Sequence, residues 1–304
     1  MNADPLVSVI CTTRDASATI EMTLQSILQQ TLRRWEMIVV DDGSSDRTPA
    51  IVEAYARREP RIQLVPTPGL GRGRALNMAV SCARAGLVAN IDADDLSHPR
   101  RLELQYETMM ADPEITLLCT GMLLIRRDER AVWPHFDANI SHHGIVDVTA
   151  DLVFGNPVMH ASVMVRKADL LNVSGYAEDI LSQFDYELWL RMAASGRRIH
   201  KLGLPLAAKR LHDRQSFERR RRVRYLYSSA RIQSEAIRVC GAPRHYIFLV
   251  WARFLFGLLP SGLRGALRDL STEPPRRRDP PWARKGVLSS PSRAANDQTS
   301  HQKP

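Results

Sequence analysis

The sequence lacks what a zinc protein, a disulfide scaffold or a bilayer-spanning chain would need. Its four cysteines, Cys11, Cys82, Cys119 and Cys240, lie far apart and form no C-x-x-C pair. That pattern excludes a zinc ribbon and predicts reduced thiols, mostly core residues, in a cytosolic setting. The strongly apolar stretch Tyr246 to Leu259 is broken by Arg253 and stops at Pro260. At about 14 residues it is too short to span a bilayer and predicts an interfacial helix, or one packed on protein. Met1 to Leu6 is polar and leads almost at once into an apolar strand, so no signal peptide is expected. The basic tail carries a single aromatic residue, Trp282, among its arginines, too few for a base-stacking platform, so nucleic acid is not expected as a partner.

What is present is an ordinary globular composition, 44% apolar and 25% charged over 304 residues, with an uneven charge. The net charge of +9 divides into about −9 for residues 1–190 and about +18 for residues 191–304. An acidic front and a basic rear suggest two tasks, the charge of the rear suiting nucleic acid, an anionic membrane or a phosphorylated substrate.

Along the chain, Val7–Cys11, Met37–Val40, Ile62–Val65 and Leu87–Ile91 read as strands. Between them, Ile20, Leu24, Ile27 and Leu28 mark a helix that Ser17 can cap, Thr48-Pro49 starts another, and Arg74 to Ala83 is a third. This alternation predicts an α/β chain with a mostly parallel sheet, whose ligands gather beyond the carboxyl ends of the strands. Thr12–Asp15, Asp41–Ser45, the Gly/Pro-rich loop 66–73 and Asp92–Asp95 all follow strands and are expected on that edge. Further on, a helix carries Leu102, Tyr106, Met109 and Met110, and strands are expected at Thr116–Ile125, His160–Arg166 and Pro205–His212. Residues 135–147 read as loop, Leu188–Met192 as a short helix, and Phe217 to about Val239 as a long one headed by the basic run Arg219–Arg222.

The stretch that carries the chemistry is Asp92-Ala93-Asp94-Asp95. An apolar strand ending in three carboxylates is poor packing, because clustered carboxylates repel and resist burial. Mg²⁺ or Mn²⁺, which prefers carboxylates plus substrate phosphates, resolves the conflict. In extended chain Asp92 and Asp94 point to one side. The alternative is an acidic turn, with Asp95 or Ser97 capping the next helix.

Taken together, Ser8-Val9-Ile10-Cys11 with Thr13, Ile38-Val39-Val40-Asp41-Asp42-Gly43-Ser44, Gly69-Leu70 with Ala75-Leu76-Asn77, Asp92-Ala93-Asp94-Asp95, and Pro99 with Arg101-Leu102-Glu103 resemble a family 2 glycosyltransferase of the GT-A fold, of the bacterial surface-polysaccharide type. Asp185-Tyr186-Glu187-Leu188-Trp189-Leu190-Arg191 resembles the second-half acidic motif of that family. The resemblance covers about residues 6–215 and implies an αβα sandwich and an inverting transfer from a nucleotide-sugar, with uridine as the expected base. It implies Asp42 and Thr13 at the nucleotide, Asp94 as metal ligand, Asp92 at ribose or metal, Asp185 as catalytic base, and His212 at metal or diphosphate. Arg72, Arg74 or Arg210 adds charge at the phosphates. The implied acceptor is a glycan or a lipid-linked sugar, and the implied place the cytoplasm, peripheral on the inner face of the plasma membrane.

The expected organisation is a GT-A domain over 1–215, a basic and apolar helical extension over 216–270, and a disordered tail over 271–304. Two departures stand out. Phe184 occupies the place where the family usually has Glu before the catalytic Asp, and Thr12 replaces a usual Pro. Plainer readings are Asp185 as a helix cap, Asp41 and Asp42 as turn residues, His212 as a solvated side chain, His160 as a hydrogen-bonded neighbour of the site, and Tyr186 and Trp189 as core. Competing functions are a sugar nucleotidyltransferase, which would want a Gly-rich basic loop where Thr12-Thr13-Arg14-Asp15 stands, and a non-catalytic nucleotide-sugar-binding scaffold, favoured by Phe184 alone.

Overall fold

The computed structural model describes residues 4–126, 131–134, 144–180, 182–211 and 222–259. His212, the run Arg219–Arg221, the side chain of Arg222 and the tail from Ser271 lie outside the described residues.

The front of the chain alternates β1 (Val7–Thr13), α1 (Ile20–Leu28), β2 (Trp35–Asp42), α2 (Thr48–Ala56), β3 (Ile62–Thr67), α3 (Arg72–Cys82) and β4 (Leu87–Asn90). Then come β5 (Leu96–Ser97), α4 (Arg101–Ala111), β6 (Leu117–Arg126), β7 (Ile145–Asp147), β8 (Met164–Arg166), α5 (Lys167–Asn172), α6 (Phe184–Ala194) and β9 (Ile199–Leu211). Two further helices, α7 (Arg222–Val239) and α8 (Tyr246–Leu258), close the described chain.

The strands form one sheet in the order β3-β2-β1-β4-β8-β6-β9-β5, with β7 on β9. β3, β2, β1 and β4 are mutually parallel, while β8 runs antiparallel to both β4 and β6. Strand alternation splits the core in two. Val7, Val9 and Cys11 of β1 face one layer with Leu24 of α1 and Leu102 of α4, whereas Ile10 faces the other with Leu76 of α3 and Trp189 of α6. Central strands buried on both faces need near-continuous apolar runs, and all eight residues of β2 are buried. Tyr186 and Trp189 are core residues, as expected. All four cysteines are free thiols, and burial pushes Cys119 up to about 12.

Several elements differ from the sequence expectation. Ser17 does not cap α1: its N–H donates to Asp46 (3.0 Å), and α1 begins after Thr19 with no side-chain cap. His160–Ser162 is a 3-10 turn rather than strand, closed by the Ser162 hydroxyl and N–H on the Met159 carbonyl, so only Met164–Arg166 pairs in the sheet. β9 starts six residues before Pro205. Pro lacks the N–H a ladder needs, and the β6–β9 register shifts opposite it at Gly121, where a Cβ would stand 3.2 Å from the Pro205 backbone. Ile145–Asp147, expected as loop, is a strand on β9. α3 starts at Arg72, inside the expected loop, and α6 at Phe184.

The helix pair is not a detached arm. α7 packs against α6 and the turn Thr149–Val153, and α8 packs on α7 through a small cluster of Val153, Ala230, Ile237, Ala242 and Val250.

Candidate active site

The carboxyl ends of β1, β2 and β4 open onto a cleft of about 1740 Å³. Thr13, Asp42, Arg72, Asp92, Asp94 and Arg210 line it, so six of the expected site residues converge there.

Each strand end contributes differently. At β1, Thr13 is buried, and its hydroxyl has no hydrogen-bond partner among the described residues, an orphaned polar atom in the lining of the cleft. At β2, Asp41 is a turn residue: its carboxylate accepts the Ser44 N–H and hydroxyl. Gly43 follows at φ +76°, where a Cβ would stand 3.1 Å from the Gly69 nitrogen, so a side chain would push the two loops apart. Asp42 is more than a turn residue. It accepts the Thr67 hydroxyl (2.8 Å) and the Leu70 and Gly71 N–H groups (2.6 and 2.9 Å), which fixes the loop that launches α3.

α3 then separates its two arginines. Residues two apart on a helix diverge by about 200°. Arg72 turns into the cleft, ion-paired to Asp92 at 2.7 Å, and Arg74 turns to Glu178 at 3.1 Å without lining the cleft.

The turn after β4 is held from below. Fully buried Arg101 donates to the Asn90 carbonyl (2.9 Å), the Val163 carbonyl (3.1 Å) and Gln105 (3.0 Å), and burial lowers its pKa to about 10. The Asp92–Asp95 segment is a turn, not extended chain: the Asp95 N–H donates to the Asp92 carbonyl at 3.1 Å. The turn gathers three carboxylates rather than two, with oxygens of Asp92, Asp94 and Asp95 all within 4.8 Å of one another. Neither Asp95 nor Ser97 caps α4, whose N-cap position is Arg100.

Crowding has an electrostatic signature. Burial, then Asp92 and Asp94, push the Asp95 carboxyl up to about 8. Burial works on Asp92 too, but Arg72 and His160 outweigh it and hold that carboxyl well below the usual range. Asp92 and Asp94 line the cleft with Asp95 buried behind them, and these hard oxygen ligands form a donor set that suits Mg²⁺ or Mn²⁺. Arg210, buried on β9, donates its backbone N–H to Asp95 (3.2 Å), which joins the two halves of the chain at this point.

Asp185 occupies the second position of α6. It makes no cap bond and instead accepts from Asn156 Nδ2 at 2.9 Å. It does not line the main cleft, yet Arg72 feels it: Asp92 first, against burial, then Asp185 and Asp94 raise the Arg72 pKa. The Phe184 ring lies 5.1 Å under the Arg72 guanidinium and meets His160 and Tyr176 edge-on, so the departure from the family pattern builds an aromatic floor.

Sequence reasoning did not single out Asn90, Asn156 or Tyr176. His160, expected as a neighbour, bonds Asn90 Nδ2 at 3.0 Å and the Tyr176 hydroxyl at 2.9 Å, with Nδ1 3.7 Å from Asp92. Asn90 had a readable signal, a lone amide within the apolar run Leu87–Ile91. Asn156 and Tyr176 had none, because only the fold brings them to Asp185 and His160.

Residues 8–162 match the family model described as Glycosyl transferase family 2. The chain is 32% identical over 225 residues to EpsE of Bacillus subtilis strain 168, named as a glycosyltransferase, covering 72% of this chain and 78% of that protein. It is 30% identical to the amylovoran biosynthesis glycosyltransferase AmsE of Erwinia amylovora, over 60% of this chain and 67% of that protein. In fold it resembles S. aureus TarS 1–349 in complex with UDP-GlcNAc, with TM-score 0.64 and 20% identity over 83% of this chain and 72% of that one. The mannosyltransferase PcManGT from Pyrobaculum calidifontis, in complex with GDP-Man and Mn²⁺, aligns with TM-score 0.56 and 21% identity over 88% and 79%. Motif order, sheet topology and these matches agree: the chain belongs to glycosyl transferase family 2, has the GT-A fold and is a glycosyltransferase.

Proposed function

We infer that this chain moves a sugar from a nucleotide-sugar, with inversion, onto a hydroxyl of a glycan or lipid-linked acceptor. The observation that carries the reading is the juxtaposition in one cleft of Asp92 and Asp94, backed by buried Asp95, with Arg72, an electrostatic step away from Asp185. Nucleotide-sugars in the named complexes of two fold neighbours, and polysaccharide synthesis in the name of AmsE, support it.

Asp92 and Asp94 would hold Mg²⁺ or Mn²⁺, with Asp95 behind them; when bound, the ion offsets the negative charge that develops on the departing diphosphate. Thr13 offers its unpaired hydroxyl to the nucleotide. Asp42 sets the Leu70–Gly71 backbone along the cleft, and Arg72 and Arg210 add positive charge on the phosphate side. Arg74 acts at a distance, by tying α3 to Glu178. Asp185, aimed by Asn156, takes the proton of the acceptor hydroxyl as that oxygen attacks the anomeric carbon. Attack from the face opposite the leaving group inverts the anomeric centre. Residues 1–215 form the catalytic domain in this reading, and 216–270 its extension.

The test is nucleoside diphosphate release from a panel of nucleotide-sugars with Mg²⁺ or Mn²⁺, with and without a membrane lipid extract. Metal-dependent release from one donor, abolished in Asp94→Ala and strongly reduced in Asp185→Asn, is the expected result. Release from no donor, even with the extract, would overturn the reading.

A further inference from the structure

Helix α8 has no polar face. Its inner side packs on α7 through Val250 and Gly257, the latter against Leu226, and through Trp251 and Phe254, which meet Tyr227. Its outer side runs Phe248, Ala252 and Leu255, the i, i+4, i+7 stripe, bordered by Leu249 and Leu258. No polar residue interrupts it, yet Phe248 is 79% exposed and Leu249 and Leu255 are each 61% exposed. The helix's one charged residue, Arg253, donates to the Phe154 carbonyl. A surface helix ordinarily turns a polar face outward, and a helix apolar all round is ordinarily covered.

The surroundings say what covers it. Arg224, Arg231 and Arg238 follow one another at seven-residue spacing on α7, all exposed, along the edge that also carries Tyr227, which meets α8 edge-on; Glu235 pairs with Arg238 at 2.7 Å and leaves the edge net positive. Arg244 and His245 are exposed just before α8 begins. An apolar stripe beside a row of arginines matches an anionic lipid surface, with the side chains in the acyl boundary and the guanidinium groups at the phosphates. A second copy of this chain fits worse. The stripe is far smaller than the roughly 20–30 residues a side of a stable interface.

We propose that the outer face of α8, with the arginine edge of α7, docks this protein onto an anionic lipid bilayer. α8 has 13 residues, too few to cross a bilayer, so the proposed attachment lies in the plane of the membrane. α7 packs on α6, and α6 carries Asp185, so the docked surface is one helix away from the proposed base. This deepens the lipid-linked acceptor reading and rests on it only for that last step.

The experiment is co-sedimentation of the full chain with vesicles of phosphatidylcholine alone or mixed with phosphatidylglycerol, at low and high salt. Wild type is expected to bind the anionic vesicles, weakly the neutral ones, and less at high salt. Phe248→Ser/Leu255→Ser is expected to lose roughly tenfold or more in partitioning while its melting curve stays unchanged, because both side chains are exposed. Arg224→Gln/Arg231→Gln/Arg238→Gln is expected to weaken binding and flatten its salt dependence. Equal binding of the serine variant and wild type would overturn the proposal and assign attachment to other segments. So would a concentration-dependent dimer, seen by sedimentation velocity and abolished by the serine changes. Nucleoside diphosphate release, read in parallel, separates failure of docking from failure of the transferase reading.

Discussion

Two acidic turns stand side by side at the edge of the sheet. In the turn after β2, Asp41, Asp42 and Asp46 each meet hydroxyl and N–H donors: Ser44, then Thr67, Leu70 and Gly71, then Ser17 and Thr48. Burial alone would push Asp46 up, but Ser17 and Thr48 hold it well below the usual carboxylate range. In the turn after β4 the same residue type is crowded rather than solvated. Asp95 is nearly inaccessible, with a backbone N–H from Arg210 and two like charges for company, and its carboxyl sits near 8. The first turn uses carboxylates to bind the chain to itself. The second crowds three carboxylates, so that Arg72 answers Asp92 while Asp95 holds its proton unless a cation takes its place. Donor count, not acidity, separates architecture from chemistry.

Four variants would sharpen or break that contrast. Asp94→Asn falls on the chemical turn: nucleotide release should drop by roughly a hundred- to a thousandfold, about 3–4 kcal/mol of barrier, while melting stays within about 2 °C of wild type. Normal turnover in that variant would erase the distinction. Asp42→Ala, on the architectural turn, should do the reverse first. Orphaning the Leu70 and Gly71 N–H groups is expected to cost about 2–3 kcal/mol in urea unfolding, with a raised KM for donor.

Asn156→Ala probes the positioning of Asp185 across the gap between Arg72 and α6. A loss of about tenfold in kcat with unchanged donor KM is expected; a change in KM alone would remove Asn156 from the base's support. The smallest effect belongs to Asp46→Asn, about 1 kcal/mol at neutral pH. Because the folded-state pKa of Asp46 lies below its unfolded value near 3.9, its contribution is present above that pH and is lost as pH falls toward the folded value. The variant's melting temperature should therefore fall less than wild type's between about pH 4 and pH 2. Parallel curves would mean that the Ser17 and Thr48 bonds do not stabilise the charge.

How far the site was legible depended on whether its logic was local. Strands β1 to β4 and their loops announced themselves through apolar runs ending in Thr13, Asp42 and Asp92, and parallel topology then obliged those ends to meet. The difference between Arg72 and Arg74 was not legible, because the expected helix began at Arg74 and only the structure places Arg72 on it. The Asp92–Asp95 turn was not: extended chain and turn both bring Asp92 near Asp94, and only the turn adds Asp95. β5, β7 and the extension of β9 back to Ile199 were hidden, because short strands on a shared partner carry no periodic signal of their own. His212, expected at metal or diphosphate, lies outside the described residues.

By itself, then, the sequence determined the α/β class, the edge at which the site forms and the acidic, basic and apolar residues available to it. These follow from side-chain periodicity and from the rule that strand ends share an edge. Tertiary structure alone decided which carboxylates are satisfied and which are crowded, that Phe184 floors Arg72, that Asn156 reaches Asp185, and that α8 turns an apolar face outward. Those depend on distances between residues far apart in the chain, and partnering and burial are set by such distances rather than by local composition.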